Sequence, residues 1–432
     1  MNRYSCAFHF ERRSFELLKD LRLLWANRRY RFLLLARFVS NIGNGMSPVA
    51  LAFGVLSLPG GDATDLSYVT TSRMIPVVVF LLIGGVVADR FGRAQLVGGT
   101  DIIGALVIGA TGLLFIFHQA SVVLLCISGA IFGVLNALWY PAFSGLMPEV
   151  VESEHLQSAN SVLGFGANIG FTIGASAAGI IVSQVGPGWA IVADGGSFLI
   201  AGLLVWQLRQ PVGDREPESQ ERESMIFQMK EGWREFVGKR WLVIIVATFA
   251  LTNMSYEGFF GVLAPLQIKE EFDGARDMGF MMSAFGIGSI VGVVVSMRLR
   301  PRRPLVIAMA ALPVIGLWML LLAGRAPMIV VMLAAFASGV ALDIFYVLWM
   351  TTFQREVPEE MLSRVGSYDA FGSTVLAPLG LFFAGPLASW AGAEVALVTA
   401  GAVVIGANLI ALTSRSVRSV RGSTTEMTPT NG

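Results

Sequence analysis

Twelve stretches of roughly 20 or more mostly apolar residues follow one another along this chain, and they leave few folds open. They run over 32–58, 66–88, 95–117, 121–145, 160–184, 188–208, 241–267, 278–297, 304–323, 327–350, 367–390 and 392–413. A helix needs about 20 apolar residues to cross a bilayer, and a barrel strand only about 10. In lipid every backbone polar group must be satisfied internally, so spans of this length read as helices. Composition agrees. The chain is 54% hydrophobic and 14% charged, against about 25% charged residues in a soluble domain. The expected class is an all-α integral membrane protein of twelve transmembrane helices.

The longest hydrophilic interruption falls between the sixth and seventh spans and divides the chain into two halves. The expected organisation is an N-terminal segment over 1–31, a six-helix bundle over 32–208, a linker over 209–240, a second six-helix bundle over 241–413 and a tail over 414–432. Within the linker, Gln210 to Ser224 is rich in Pro, Glu, Arg and Ser and reads as disordered. Met225 to Trp241 sets Phe227, Trp233 and Phe236 among charges and reads as an interfacial helix, as does Phe15 to Trp25. All but five of the 31 Lys and Arg lie on one side of the membrane if the N-terminus is cytoplasmic. Lys269, Arg276 and Arg325 fall outside, and Arg37 and Arg73 fall within spans. The positive-inside rule therefore puts both termini in the cytoplasm. The two halves also repeat. At an offset of 206, Val151, Leu156, Ser161, Phe165 and Gly166 meet Val357, Leu362, Ser367, Phe371 and Gly372.

Between the second and third spans lies Gly85-Val86-Val87-Ala88-Asp89-Arg90-Phe91-Gly92-Arg93, a tight charged hairpin. It resembles the signature loop of the major facilitator superfamily. A worn copy near Gly292 to Arg300 keeps the basic residues but has Ser296 in place of the acid. Arg73-Met74-Ile75-Pro76 before Gly84-Gly85, Glu231-Gly232-Trp233, and Gln354, Val357-Pro358, Arg364-Val365, Ser367 and Pro378-Leu379-Gly380 extend the likeness over nearly the whole chain. They resemble the bacterial branch that includes the enterobactin exporter and macrolide efflux proteins. The resemblance implies two pseudo-symmetric six-helix bundles, alternating access and a place in the bacterial cytoplasmic membrane. It also implies a conformational lock at Gly85, Asp89, Arg90, Gly92 and Arg93, with Asp89 able to pair with Arg93. Three features depart from the pattern. Helix 1 reads Ser40-Asn41-Ile42-Gly43-Asn44, with an amide where the branch has an acid. Gly174-Ala175-Ser176-Ala177-Ala178-Gly179 lacks the antiporter proline. Helix 4 has no arginine.

Polar residues inside spans are the remaining signal, because each is costly unless it meets water, a partner or a ligand. Arg37, Asn41, Asn44 and Pro48 share one face of helix 1, and Asn136 and Tyr140 one face of helix 4. Helix 7 carries Asn253, Tyr256, Glu257 and Phe260, and helix 10 carries Asp343, Tyr346 and Met350. The resemblance implies that helices 1, 4, 7 and 10 line a central substrate cavity. Rings with one or two acids suit a bulky amphipathic or cationic ligand. Glu257 and Asp343 lie deepest in their spans and are the proton-coupling candidates; a permanent ion pair or a cationic substrate is the alternative use. Asp101, Asp194 and Asp369 read as network or boundary charges. Gly166, Gly170 and Gly174 recur every four residues and read as a sliding interface between the halves.

Other chemistries find no support. Gly232 to Lys239 misses the phosphate-loop spacing, and His9, His118 and His155 are scattered, so neither an ATP-driven pump nor a metal centre is expected. Cys6 and Cys126 imply no disulfide framework. A net charge of +1 gives no sign of nucleic acid binding. The expectation is a secondary transporter, not an enzyme, with no cofactor and no required oligomer. Its partners are a small-molecule substrate, protons and membrane lipid. Export of a hydrophobic or amphipathic molecule by proton antiport is the first reading. An uptake symporter or facilitator of the same fold is the second, and a non-transporting membrane sensor the third.

Overall fold

A computed structural model describes residues 23–208 and 225–422. The side chains of 81–91, 225–229, Ser153 and Ser363 lie outside the described set. So do residues 1–22, with most of the expected interfacial segment Phe15 to Trp25, and 209–224, where disorder was expected. The described residues are helical throughout, in the order α1 (Arg28–Leu56), α2 (Ala63–Phe91), α3 (Arg93–Ile116), α4 (Val122–Val150), α5 (Leu156–Val185) and α6 (Pro187–Trp206). There follow α7 (Met225–Gly238), α8 (Arg240–Glu271), α9 (Gly274–Ser296) and α10 (Pro304–Ala323). The chain closes with α11 (Met328–Glu356), α12 (Arg364–Ala391), α13 (Ala393–Thr413) and the short α14 (Arg415–Ser419). Eleven helices among the described residues are long and apolar enough to cross a membrane. The 29-residue α2 stands beside them, its second half outside the described side chains. No strand occurs among the described residues.

Local chemistry sets the ends. Asn27 caps α1, its side chain accepting from the N–H groups of Arg29 at 3.0 Å and Tyr30 at 3.2 Å. Gly186 and Gly392, again 206 apart, join α5 to α6 and α12 to α13 in one residue each, at φ of +94° and +90°. Only glycine takes that conformation without strain. The repeat persists in the 3-10 turns Ser153–His155 and Glu359–Met361, which open α5 and α12. The apolar run expected at 241–267 is one long helix, but it is not uniform. Phe259–Leu263 forms a π-turn in its middle, immediately after Glu257.

The chain forms two compact units. The first comprises Met1–Leu58 and Ser72–Glu216, the second Pro59–Thr71 and Pro217–Gly432. The first two turns of α2 therefore belong with the second half of the chain. Inside each unit glycine lets backbones touch. A Cβ added to Gly174 on α5 would overlap the carbonyl oxygen of Ile42 on α1, and one at Gly45 would overlap Phe171 O. The equivalent position in the second unit, Gly380 on α12, meets Met254 O on α8 in the same way. Gly170 and Gly174 thus pack α5 on α1 within the first unit. This corrects the expectation of an interface between halves: the four-residue spacing marks close approach but does not say to which helix. The amphipathic α7 sits on the second unit, with Phe236 buried and ring contacts from Trp233 and Phe236 to Tyr368 at 5.4 and 6.0 Å. Arg364 pairs with Glu231 beside them.

Gly174→Val is expected to lower the thermal midpoint of the detergent-solubilised protein by several degrees, since overpacking costs about 1–3 kcal/mol. Gly164→Ala, whose added methyl meets nothing within 4 Å, should leave the midpoint unchanged. Equal melting of the two variants would contradict the packing described.

Candidate functional site

The first unit holds a cavity of about 150 Å³, with a mixed polar and apolar lining, between α1, α3, α4 and α6. Arg37, Ser40 and Asn44 line it from α1, and Asn136, Trp139 and Tyr140 from α4. Phe132 on α4 and Phe198 on α6 close it with an edge-to-face contact at 5.4 Å. Thr100 and Asp101 complete it from α3, with Asp101 only 5% exposed. The Arg37 guanidinium lies 4.8 Å over the Trp139 ring and 5.3 Å from that of Phe143. Those two rings stack at 4.5 Å. Attraction to the π-systems of this stacked pair favours the cation's position beside them. Asp101 is its nearest opposite charge. The Trp139 indole lies beside the same carboxyl, without a hydrogen bond of good geometry.

Four helix-1 and helix-4 residues expected from spacing therefore meet in one place: Arg37, Asn44, Asn136 and Tyr140. Asn41 does not join them. It is buried, donates to Arg37 O at 2.7 Å and turns toward Gly170 of α5. The difference is one of rotation: around a helix Asn41 and Asn44 stand about 60° apart, enough for one to meet α5 and the other the cavity. Asp101, which the sequence reading took for a network or boundary charge, is central here together with Trp139. Asp101 is the sole acid of its span, and that was the available signal.

A second charged group sits deeper in the same unit. Asp194 on α6 is completely buried, and neither oxygen makes a hydrogen bond of good geometry. A Cβ at Gly43 would overlap its Oδ1. Arg73 supplies the compensating charge, stacked 4.5 Å over Phe132 and donating to Ser47 Oγ at 3.4 Å. Phe132 thus both lines the cavity and carries Arg73 over its ring.

Of the hairpin, the side chains of Gly85, Asp89 and Arg90 lie outside the described set. Gly92 turns the chain at φ +81°. Arg93 reaches the C-terminal end of α4, donating to Gly145 O at 2.7 Å and standing 3.6 Å from Glu149. Gly145 is required there, because a Cβ would stand 2.5 Å from Arg93 Nε.

In the second unit the expected residues are distributed over several contacts. Asn253 donates to Ser373 O of α12 at 3.2 Å. Tyr256 stacks on Phe260 at 5.6 Å and leans on Phe285 at 6.1 Å. Glu257 is half-buried, next to Tyr256 and two residues before the π-turn begins. π-turns recur at functional sites. Asp343 lies where α9 and α11 touch, beside Ser289 and with its Cβ against Gly292. Tyr346 is exposed and Met350 half-buried. Asp369, read as a boundary charge, accepts from Trp349 Nε1 at 3.2 Å and from Ser373 Oγ at 3.4 Å. Among the described residues Glu152, Glu154 and His155 bring potential metal-ligand atoms within 4.8 Å of one another at the surface, where His155 pairs with Glu154.

The sequence matches the family model of the Major Facilitator Superfamily over residues 33–374. The chain belongs to that superfamily: it is a multi-pass membrane transporter, not an enzyme, and it moves a small molecule. Among curated relatives it is 25% identical to the multidrug efflux pump Tap of Mycolicibacterium fortuitum, over 83% of this chain and 89% of Tap. It is also 25% identical to the enterobactin exporter EntS of Salmonella choleraesuis, over 90% of this chain and 94% of EntS. The nucleoside transporter NupG superposes with a TM-score of 0.70 at 13% identity, covering 89% of this chain and 98% of NupG. A bacterial homologue of ferroportin in an inward-facing state gives 0.66 at 18% identity, over 89% and 98%. These likenesses establish the shared fold.

Gly145→Ala should displace Arg93 from Gly145 O and slow transport severalfold while leaving the protein monodisperse. Flux in proteoliposomes alongside size-exclusion profiles checks this. Unchanged flux would show that Arg93 needs no fixed seat on α4.

Proposed function

We propose that the protein exports a hydrophobic or amphipathic small molecule across the bacterial cytoplasmic membrane, driven by proton entry. The observation that carries this reading is the cavity of the first unit. Rings, amides and one cation converge there inside a membrane bundle, where unpartnered polar groups are costly without a ligand. Direction is supported by the relatives, since Tap and EntS carry the names of an efflux pump and an exporter. Two six-helix bundles over 32–208 and 241–413, joined through 209–240 and with both termini cytoplasmic, are the working organisation. The protein acts as a monomer.

Alternating access needs a ligand that binds one state better than the other. In the proposed cycle a proton on Glu257 or Asp343 favours one cavity orientation and substrate favours the other. Both acids stand at points of mechanical interest. Glu257 precedes the π-turn, and Asp343 sits where Gly292 brings α9 against α11. Neutralising either removes the charge that distinguishes the two states. Arg93 on Gly145 and Glu149 is the part of the hairpin lock whose contacts support the reading.

Reconstituted protein in vesicles with an imposed pH gradient should move lipophilic dyes or macrolides only while the gradient lasts. Glu257→Gln or Asp343→Asn should reduce that flux by at least about tenfold, as loss of an ionisable coupling group does. Flux that persists without a gradient, and in both variants, would replace this reading with a facilitator.

A further inference from the structure

The reading above leaves the charge of the transported molecule open, and Arg37 bears on it. Its Nε is buried without a partner, and among the described residues no acceptor bonds any atom of the guanidinium. A guanidinium offers five donors, and desolvating them without acceptors costs several kcal/mol. Asp101 acts on it through space but makes no ion-pair contact. Trp139 and Phe143, stacked on each other, both lie to one side of it, and its N–H groups are left to the cavity that Arg37 lines. Asn44, Asn136 and Tyr140 line the same space, and among the described residues their side chains make no hydrogen bond either. Tyr140, 65% exposed, marks the mouth.

Arg37 is donor-only, and the two amides and the hydroxyl beside it can each donate as well. Resting on the transport reading, we propose that the cavity takes the anionic oxygen group of an amphipathic substrate, a carboxylate in the first instance, with Arg37 as its binding residue. The planar fork matches a carboxylate in two parallel hydrogen bonds. Asn44 and Asn136 serve the remaining lone pairs, while Phe132 and Phe198 contact an attached ring. Asp101 has a distinct part. It balances Arg37 when the cavity is empty and competes with the incoming anion, so binding exchanges one negative partner of Arg37 for another. The sequence reading of a bulky amphipathic or cationic ligand weighed the acids of helices 7 and 10 and gave Arg37 only a place on the cavity face.

The test uses the full-length protein and two matched probes, 1-naphthoate and its neutral analogue 1-naphthalenemethanol, in equilibrium dialysis. In neutral detergent naphthoate should bind at least about tenfold tighter than the alcohol, the ratio one charge-assisted contact supplies. Arg37→Gln should erase that ratio, and Asp101→Asn should tighten naphthoate while leaving the alcohol unchanged. Equal binding of the two probes to the native protein would overturn the proposal without recourse to any variant, and so would weaker naphthoate binding in Asp101→Asn. A lipid headgroup could supply the same chemistry, so the assay is repeated in nanodiscs of phosphatidylcholine and of phosphatidylglycerol. Unchanged naphthoate binding in both supports a soluble substrate. Loss in phosphatidylglycerol alone would assign Arg37 to the headgroup and defeat the proposal. Naphthoate binding without flux of any compound would sink the transport reading and leave the anion site standing. Proton-driven flux with no preference for anions and no effect of Arg37→Gln would do the reverse.

Discussion

Backbone resting on backbone is the contact from which the rest of this molecule follows. Lipid tails are as apolar as leucine, so apolar side chains alone give membrane helices little reason to associate. Close packing must do it, and close packing needs the side chain removed. Gly174 against Ile42 O and Gly380 against Met254 O perform this in the two units at positions 206 apart. Gly288 against Phe336 O and Gly339 against Phe285 O repeat it between α9 and α11. Gly385 goes further. It admits Ala63 O and accepts no side chain of its own, and its N–H donates to the buried Ser67 Oγ at 2.7 Å. That contact ties the first turns of α2 to α12.

Rigid seams of this kind let each unit hold charge at depth. Arg37 over Trp139 and Arg73 over Phe132 are both placed against aromatic rings. An ion pair in a low-dielectric interior is worth much but leaves both partners committed. A cation held by ring faces keeps its donors available, which suits a protein that must bind and release. Trp349 does a related task in the second unit by donating to Asp369. Charged groups that can change partner, mounted on closely packed helices, supply a physical basis for a two-state device.

Much of this was legible in the residues. The spans follow from the length of apolar runs, and the family from the hairpin and its surrounding motifs. The offset of 206 read from Leu156 and Leu362 also relates Gly186 to Gly392 and Gly174 to Gly380, which the pattern of glycines held unread. Rotation and partner choice were not legible. Asn41 and Asn44 lie on one broad face, yet only Asn44 lines the cavity, because α5 approaches through Gly170 and claims the other. Asp101 looked like a boundary charge because its partner, Trp139, lies 38 positions away on another helix. The π-turn after Glu257 has no marker in periodicity, since one extra residue per turn shifts a pattern less than the natural scatter of apolar positions.

The central claim is that transport requires helices to separate and rejoin, and the contact of α2 with α12 offers the most direct measurement. Thr64 Oγ1 and Ser389 Oγ stand 3.1 Å apart. In a Cys-free background, Thr64→Cys with Ser389→Cys places two thiols within reach of a disulfide. Oxidation should abolish flux in vesicles, and reduction should restore it to the level of either single variant. Full flux through the oxidised, cross-linked protein would show that this contact never opens, and alternating access by parting of α2 from α12 would be wrong.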